Sequence, residues 1–169
     1  MIDLIDIRGD HLDMAIRWGS GAWSDLEIES LFACPAVPMA NAETAETIGP
    51  RGLEHYDGAL SLLHDREESR AWTDWHATAG RPFQAVLDPL VIPDPNVRVQ
   101  AVIDGQGIAL NDRLAEPELT NGTLVQVSEI SLTSYGYHLA YAKGALGNPA
   151  LRAFRDWIKT EAMSETLGF

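Results

Sequence analysis

The chain predicts an α/β fold with a largely parallel sheet, and three observations carry that reading. Apolar stretches of strand length alternate with helix-patterned stretches from one end to the other. A helix with both end signals, Asp94–Gly105, stands between two such apolar stretches. A last helix opens at Asn148-Pro149, after the final predicted strand.

The central unit is the most informative. Asp94 has the side chain of an N-cap, and Pro95 suits the first helical position, where no N–H is needed. Gly105 falls where a helix ends in a left-handed residue, and Ile108-Ala109-Leu110 is an apolar run of the kind a buried strand gives. Val97, Val99 and Ala101 alternate like a strand, while Val99, Val102 and Ile103 satisfy helical spacing; the two end signals decide for helix. With Leu87–Ile92 as the strand before it, this is a βαβ unit. Such units gather ligands beyond the strand ends, near free helix N–H groups.

Taken in order, residues 2–8 fit either a helix turn or a strand. Leu12–Arg17 reads as a strand, Trp18–Trp23 as a glycine loop and Leu26–Cys34 as an extended segment. Pro35 and Pro38 argue against a central strand at 33–40, which reads as a crossover or hinge. Asn41–Thr47 is small and polar, and Pro50–Tyr56 has room for a short helix. Ala59–His64 reads as a strand, Asp65–Arg70 as its exit loop, and Ser69–Ala79 as a helix stopped by Gly80, with Trp72, Trp75 and His76 on one face. Leu114–Leu119 is a short helix ending near Asn121-Gly122, and Thr123–Val127 and Tyr137–Ala142 are strands. In the last helix Leu151, Phe154, Trp157 and Ile158 mark the stripe expected to be buried.

Composition excludes several classes. Hydrophobic residues make up 46% and charged residues 22%, an ordinary globular balance. The formal net charge of −13 argues against this stretch gripping nucleic acid by itself, since phosphate binding needs a basic surface. The sole cysteine, Cys34, rules out an internal disulfide and a cysteine zinc site, and reads as a buried thiol beside Phe32 and Ala33. The first residues lack the basic-then-apolar order of a secretory signal, and no stretch has the length to cross a bilayer, so the cytoplasm is the expected compartment.

The catalytic motifs are missing. His11, His55, His64, His76 and His138 show no metal-ligand spacing and read individually as structural or exposed. No G-x-S-x-G elbow occurs. Gly19-Ser20-Gly21 lacks the third glycine of a dinucleotide fingerprint, and Gly105-Gln106-Gly107 reads as a helix-end turn. A hydrolase built on His64 and Asp65 would have no nucleophile with a supporting motif. No enzymatic activity, cofactor or metal is expected.

Longer segments are more specific. Asp13–Trp23 (D-M-A-I-R-W-G-S-G-A-W) resembles the "D-x-A-I-R-[YW]-G-x-G-x-W" segment of LysR-type transcriptional regulators, in the subgroup of the glycine-cleavage activator. Phe32–Pro38 fits the crossover that follows, and Leu62–Asp65, Trp72–Trp75 and Gly80 fit an "L-L-H … W-x-x-W … G" block. Gln100–Leu110 is similar to "A-A-x-x-G-x-G-[VI]-A-L" and Gly122–Val125 to "G-x-L-V". Tyr135–Leu139 fits the next strand, and Ala153–Ile158 the closing "F-R-D-W-[LI]". These pieces keep their order and spacing over roughly residues 10–162.

The resemblance implies a small-molecule effector-sensing domain of the type 2 periplasmic-binding-protein kind, with two α/β lobes, parallel sheets and crossover strands around a ligand cleft. It places 1–38 as a remnant of lobe I, 39–135 as lobe II and 136–169 as the return to lobe I. It also implies that the family's helix-turn-helix domain, linker helix and first lobe I elements do not precede Ile2, so that DNA would be reached only through a domain absent from this chain. A stand-alone or non-functional truncated solute-binding module is the alternative.

By the same resemblance Arg17, Trp18 and Gly19 face the cleft, where the Arg17 guanidinium suits a carboxylate or else pairs with Asp13. Asp94 and Asn96 stand at the central helix N-terminus, where relatives carry hydroxyl residues. Asp94 either selects an amino-bearing ligand or simply caps the helix, the better-supported reading. His64 closes a lobe II strand. Tyr137 matches a cleft tyrosine and is either a hydroxyl donor or a core residue. Expected partners are an amino- or carboxylate-bearing effector and a second copy of the chain, paired through sheet edges. No membrane partner is expected.

Overall fold

The computed structural model describes residues 12–67, 69–84 and 88–166. In chain order the strands are β1 (Met14–Gly19), β2 (Glu27–Ala33), β3 (Val37–Ala40), β4 (Leu62–Leu63), β5 (Ile108–Asn111), β6 (Val125–Gln126) and β7 (Gly136–Tyr141). The helices are α1 (Ala42–Ile48), α2 (Ala71–Thr78), α3 (Pro95–Ile103), α4 (Glu116–Thr120) and α5 (Pro149–Thr166). The expectations for residues 2–8, His11 and Leu87 lie outside the described residues. The chain divides into two units. One comprises the residues up to Cys34 and from Thr133 onward, and the other is Pro35–Leu132.

In the first unit β7 lies between β1 and β2 and is antiparallel to both. Opposite residues share a face of a sheet and successive residues alternate. Trp18 and Phe32 both register with Tyr137, so these three share one face; Arg17 registers with His138 on the other. A bulge between Ser30 and Phe32 resets β2. Trp18 and Gly19, expected in a loop, complete β1.

The start of α5 matches its sequence signal: Asn148 Oδ1 accepts from the Ala150 N–H at 2.9 Å. Its predicted stripe does not match. Phe154 and Trp157 are 41% and 54% exposed, while Ala162 is buried and Leu151 and Ile158 are partly buried. An ion-pair cluster sets the rotation. Glu29 of β2 pairs with Lys159 Nζ, lies 3.8 Å from Arg155 Nη1 and accepts the Tyr141 hydroxyl. Arg155 and Lys159 are one turn apart, so holding both on Glu29 turns the flank bearing Phe154 and Trp157 outward.

The second unit is a four-stranded sheet ordered β4-β5-β3-β6. Only β4 and β5 run parallel, with an added parallel bridge from His64 to Val91; β3 is antiparallel to both neighbours. The largely parallel sheet expected from alternating elements is thus corrected to one antiparallel sheet and one of mixed orientation. The alternation was real, but β3 and β7 pair with distant strands that run against them.

Pro38 lies inside this sheet, against expectation, facing Leu110 of β5. Its carbonyl accepts from the Val127 N–H at 3.0 Å. A strand residue's N and O point to the same side, so the missing donor falls toward the short β6 and the β5 ladder is spared. The polar stretch after it is helix α1: Asn41 Oδ1 accepts from the Thr44 N–H at 2.9 Å, and Asn41 Nδ2 donates to the Ile103 carbonyl at 3.3 Å.

Met39, Leu63, Ala101, Val102, Ala109 and Leu124 form the core against α3, and every residue of β5 is buried. Trp72 and Trp75 of α2 are each 1% exposed, and their indole N–H groups donate to the Leu63 and Ile130 carbonyls, both at 2.9 Å. The strand predicted at Ala59–His64 is reduced to Leu62–Leu63, and of Leu87–Ile92 the described part contributes the Val91 bridge alone. Gly105 (φ +75°) ends α3 as expected, with the Gln106 N–H bonded to Ala101 O at 2.9 Å. No helix among the described residues is long and apolar enough to cross a membrane.

Candidate functional site

The glycine loop of the first unit folds onto the Arg17 face of its sheet. The Arg17 guanidinium carbon lies 4.6 Å from the Trp23 ring centroid, a cation–π distance. The His138 ring meets Trp23 edge-on at 5.7 Å. His138 Nε2–H donates to the Gly19 carbonyl at 3.1 Å, which places the proton on that nitrogen. The two glycines make room: a Cβ on Gly19 would lie 2.8 Å from the Trp23 ring, and one on Gly21, 3.0 Å from His138 Cε1. The spacing Arg17-x-Gly19-x-Gly21-x-Trp23 is therefore what lets an indole lie over the guanidinium.

Trp18 and Tyr137 stand on the opposite face. The Trp18 indole N–H donates to the Cys34 carbonyl at 3.0 Å, and its ring packs on Tyr135 at 4.9 Å. Tyr137 packs on Phe32 at 5.1 Å. The sheet thus brings Trp18 and Tyr137 together and sets Arg17 apart from them.

The other expected residues lie in the second unit. Asp94 Oδ1 accepts from the N–H groups of Asn96 and Val97, at 2.8 and 3.1 Å, so Asp94 caps α3 and occupies the donors that an anion would use. Asn96 is exposed beside it. His64 is 8% exposed, and its backbone is fixed by bonds to Leu90 O and Ile92 N at 2.9 and 2.8 Å. Its Nδ1 is shielded and has no hydrogen-bond partner. Burial holds the imidazole below its usual pKa, partly offset by the negative charge of Asp65.

Sequence reasoning missed three residues. Asn111 ends β5 at 6% exposure with its Nδ2 unpartnered; the available signal was a polar residue closing the apolar run Ile108–Leu110. Trp23 and His138 complete the Arg17 platform, and their partnership, 115 residues apart in the chain, left no local trace. Among the described residues no three His, Cys, Asp or Glu side chains group to hold a metal, and Cys34 is buried.

The sequence model of the LysR substrate binding domain matches residues 2–163. The chain belongs to this LysR substrate-binding-domain family. Its curated relatives are transcriptional regulators. It is 29% identical over 160 residues to the HTH-type transcriptional activator AmpR of Providencia stuartii, covering 94% of this chain and 53% of that protein. It is 27% identical over 162 residues to the glycine cleavage system transcriptional activator of Escherichia coli K12, covering 95% and 53%. The chain therefore spans about half the length of these relatives. Among solved structures it is similar to the effector domain of AmpR from Pseudomonas aeruginosa, with a TM-score of 0.73 and 25% identity over 97% of this chain and 79% of that one. The ArgP structure from Mycobacterium tuberculosis, 17% identical with a TM-score of 0.70, shares the fold. The type 2 periplasmic-binding-like architecture and the role of a LysR effector-binding domain hold for this LysR chain.

Proposed function

We propose that this LysR domain senses a small carboxylate-bearing effector and performs no catalysis. The observation that carries the reading is in the second unit. His64 Nδ1 and Asn111 Nδ2 are shielded and unpartnered where β4 and β5 end. A buried polar atom left unpaired costs about 1–3 kcal/mol, and the C-terminal ends of parallel strands are where α/β folds bind ligands. A ligand oxygen accepting from Asn111 would recover that cost. In the first unit Arg17, its guanidinium carbon 4.6 Å from the Trp23 ring centroid, is the cation whose planar fork suits a carboxylate in this reading. Trp18, Gly19, Asp94, Asn96 and Tyr137 are supporting positions in this reading, Asp94 through its cap.

The lobes assigned from the sequence, 1–38 with 136–169 and 39–135, belong to the same proposal, as does a cytoplasmic location. So does self-association through sheet edges: among the described residues β1 carries a ladder only on its β7 side. Promoter recognition is assigned to a helix-turn-helix segment outside these 169 residues, in keeping with the net charge of −13.

Thermal-shift screening against amino acids, dicarboxylates and aliphatic amines tests the proposal. A carboxylate is expected to stabilise the chain, and calorimetry is expected to show ~10-fold or greater weakening in Asn111→Leu and in Arg17→Met. A stabilising compound whose affinity neither substitution changes would refute the assignment.

A further inference from the structure

We propose that the second unit holds a further small-molecule site, in a cavity between α1 and β6, that takes a zwitterionic amino acid with an aliphatic side chain. The cavity measures about 590 Å³, within the ~300–1,000 Å³ typical of small-ligand sites. Ala42 and Ala45 of α1 and Val125 and Val127 opposite them give it an apolar wall.

Two of the residues that line the cavity, Glu54 and Ser128, keep hydrogen-bonding capacity that is not used. Glu54 Oε2 is shielded from solvent and accepts no hydrogen bond. Its carboxylate is tucked against Gly52, where a Cβ would lie 2.8 Å from that oxygen; with Gly52 at φ +84°, the backbone itself reserves the space. Ser128 is 5% exposed, and its Oγ accepts from the Ile130 N–H at 3.0 Å. A hydroxyl also carries a proton to donate, and no acceptor for it is found among the described residues.

A shielded carboxylate oxygen without a donor is costly, and an ammonium group offers both the donor and the opposite charge. A carboxylate on the same ligand would accept from the Ser128 hydroxyl and from Arg51 on the loop beside it. Glu46 and Glu129 also line the cavity, so a carboxylate lacking the ammonium would be repelled. The apolar wall takes the side chain. The site lies wholly within Pro35–Leu132 and uses none of the effector groups proposed above, so the two proposals stand or fall separately.

Isothermal titration calorimetry of the whole chain with L-valine, isobutylamine and isobutyrate tests this. Saturable binding is expected for L-valine, weaker for isobutylamine and weakest for isobutyrate. Glu54→Gln is expected to weaken L-valine ~10-fold or more. Ala45→Leu, which fills the cavity from a helix position that tolerates leucine, is expected to abolish binding; it decides the matter should Glu54→Gln fail to fold. No saturable heat with L-valine, equal binding of isobutyrate, or an affinity unchanged by both substitutions would each overturn the proposal.

Discussion

Glu29 shows how a single carboxylate can orient a helix. Burial alone would raise its pKa. Hydrogen bonds from Lys159 and Tyr141, with the charges of Lys159 and Arg155, together outweigh burial and hold it below the ordinary 4.5. Burial, together with the hydrogen bond to Glu29, pushes the Tyr141 hydroxyl pKa up to about 12. A carboxyl with a lowered folded pKa stabilises the fold fully above its unfolded value and loses that contribution as pH falls through the folded value. Glu29→Gln is therefore expected to lower stability at pH 7 by ~1–3 kcal/mol. The deficit relative to the parent chain is expected to shrink below pH 4.5, as read from urea unfolding across pH. His64 obeys the same sign. Its folded pKa is below the usual 6.5, so the unfolded chain binds the proton more readily. Stability is expected to be full above pH 6.5 and to decline as pH falls further, and His64→Phe is expected to flatten that decline. Which histidine was buried could not be read from its neighbours: Leu62-Leu63-His64-Asp65 fits an exposed strand end as well as a shielded one.

At the scale of elements, what was legible is what is written locally. The Asp94 cap, Pro95 and Gly105 bound α3 within a dozen residues, and the observed helix obeys all three. Trp72 and Trp75, three apart, were enough to place α2's inner face. Where position depended on a distant partner, reading failed. Asn41 is as clear a cap as Asp94, yet the short small-residue stretch after it carries no apolar periodicity, and α1 was missed. In α5 the apolar stripe pointed one way and the Glu29 pairing, more than a hundred residues upstream, turned it another. Its orientation makes a prediction that reverses the sequence reading. Trp157→Ser is expected to change stability by no more than ~0.5 kcal/mol, whereas Ala162→Asp is expected to cost several. Thermal denaturation of the two variants decides between the observed rotation and the predicted one.

For the whole molecule, composition and element order established the class, but strand direction was beyond them. Whether β3 runs with or against β5 depends on a pairing between Pro38 and Leu110 that no window of sequence contains. Of the candidate residues, Arg17 and His64 are placed where they can be tested, and Asp94 proved to be a cap. The partners Trp23, His138 and Asn111 became visible only once strands were side by side. The second unit is one continuous stretch with its own core, while the first is assembled from both ends of the chain. A fragment of residues 35–132 is expected to unfold cooperatively on heating when followed by circular dichroism, and a fragment of residues 1–34 to show no transition.

The middle position of β7 also imposes an order of events during synthesis. Among the described residues β1 and β2 have no hydrogen-bonding strand until residues 136–141 have left the ribosome, by which time all of Pro35–Leu132 has been made. Between the synthesis of β2 and that of β7 both strands are therefore tethered but unmatched, and over that interval the acidic charge of the nascent chain favours its solubility.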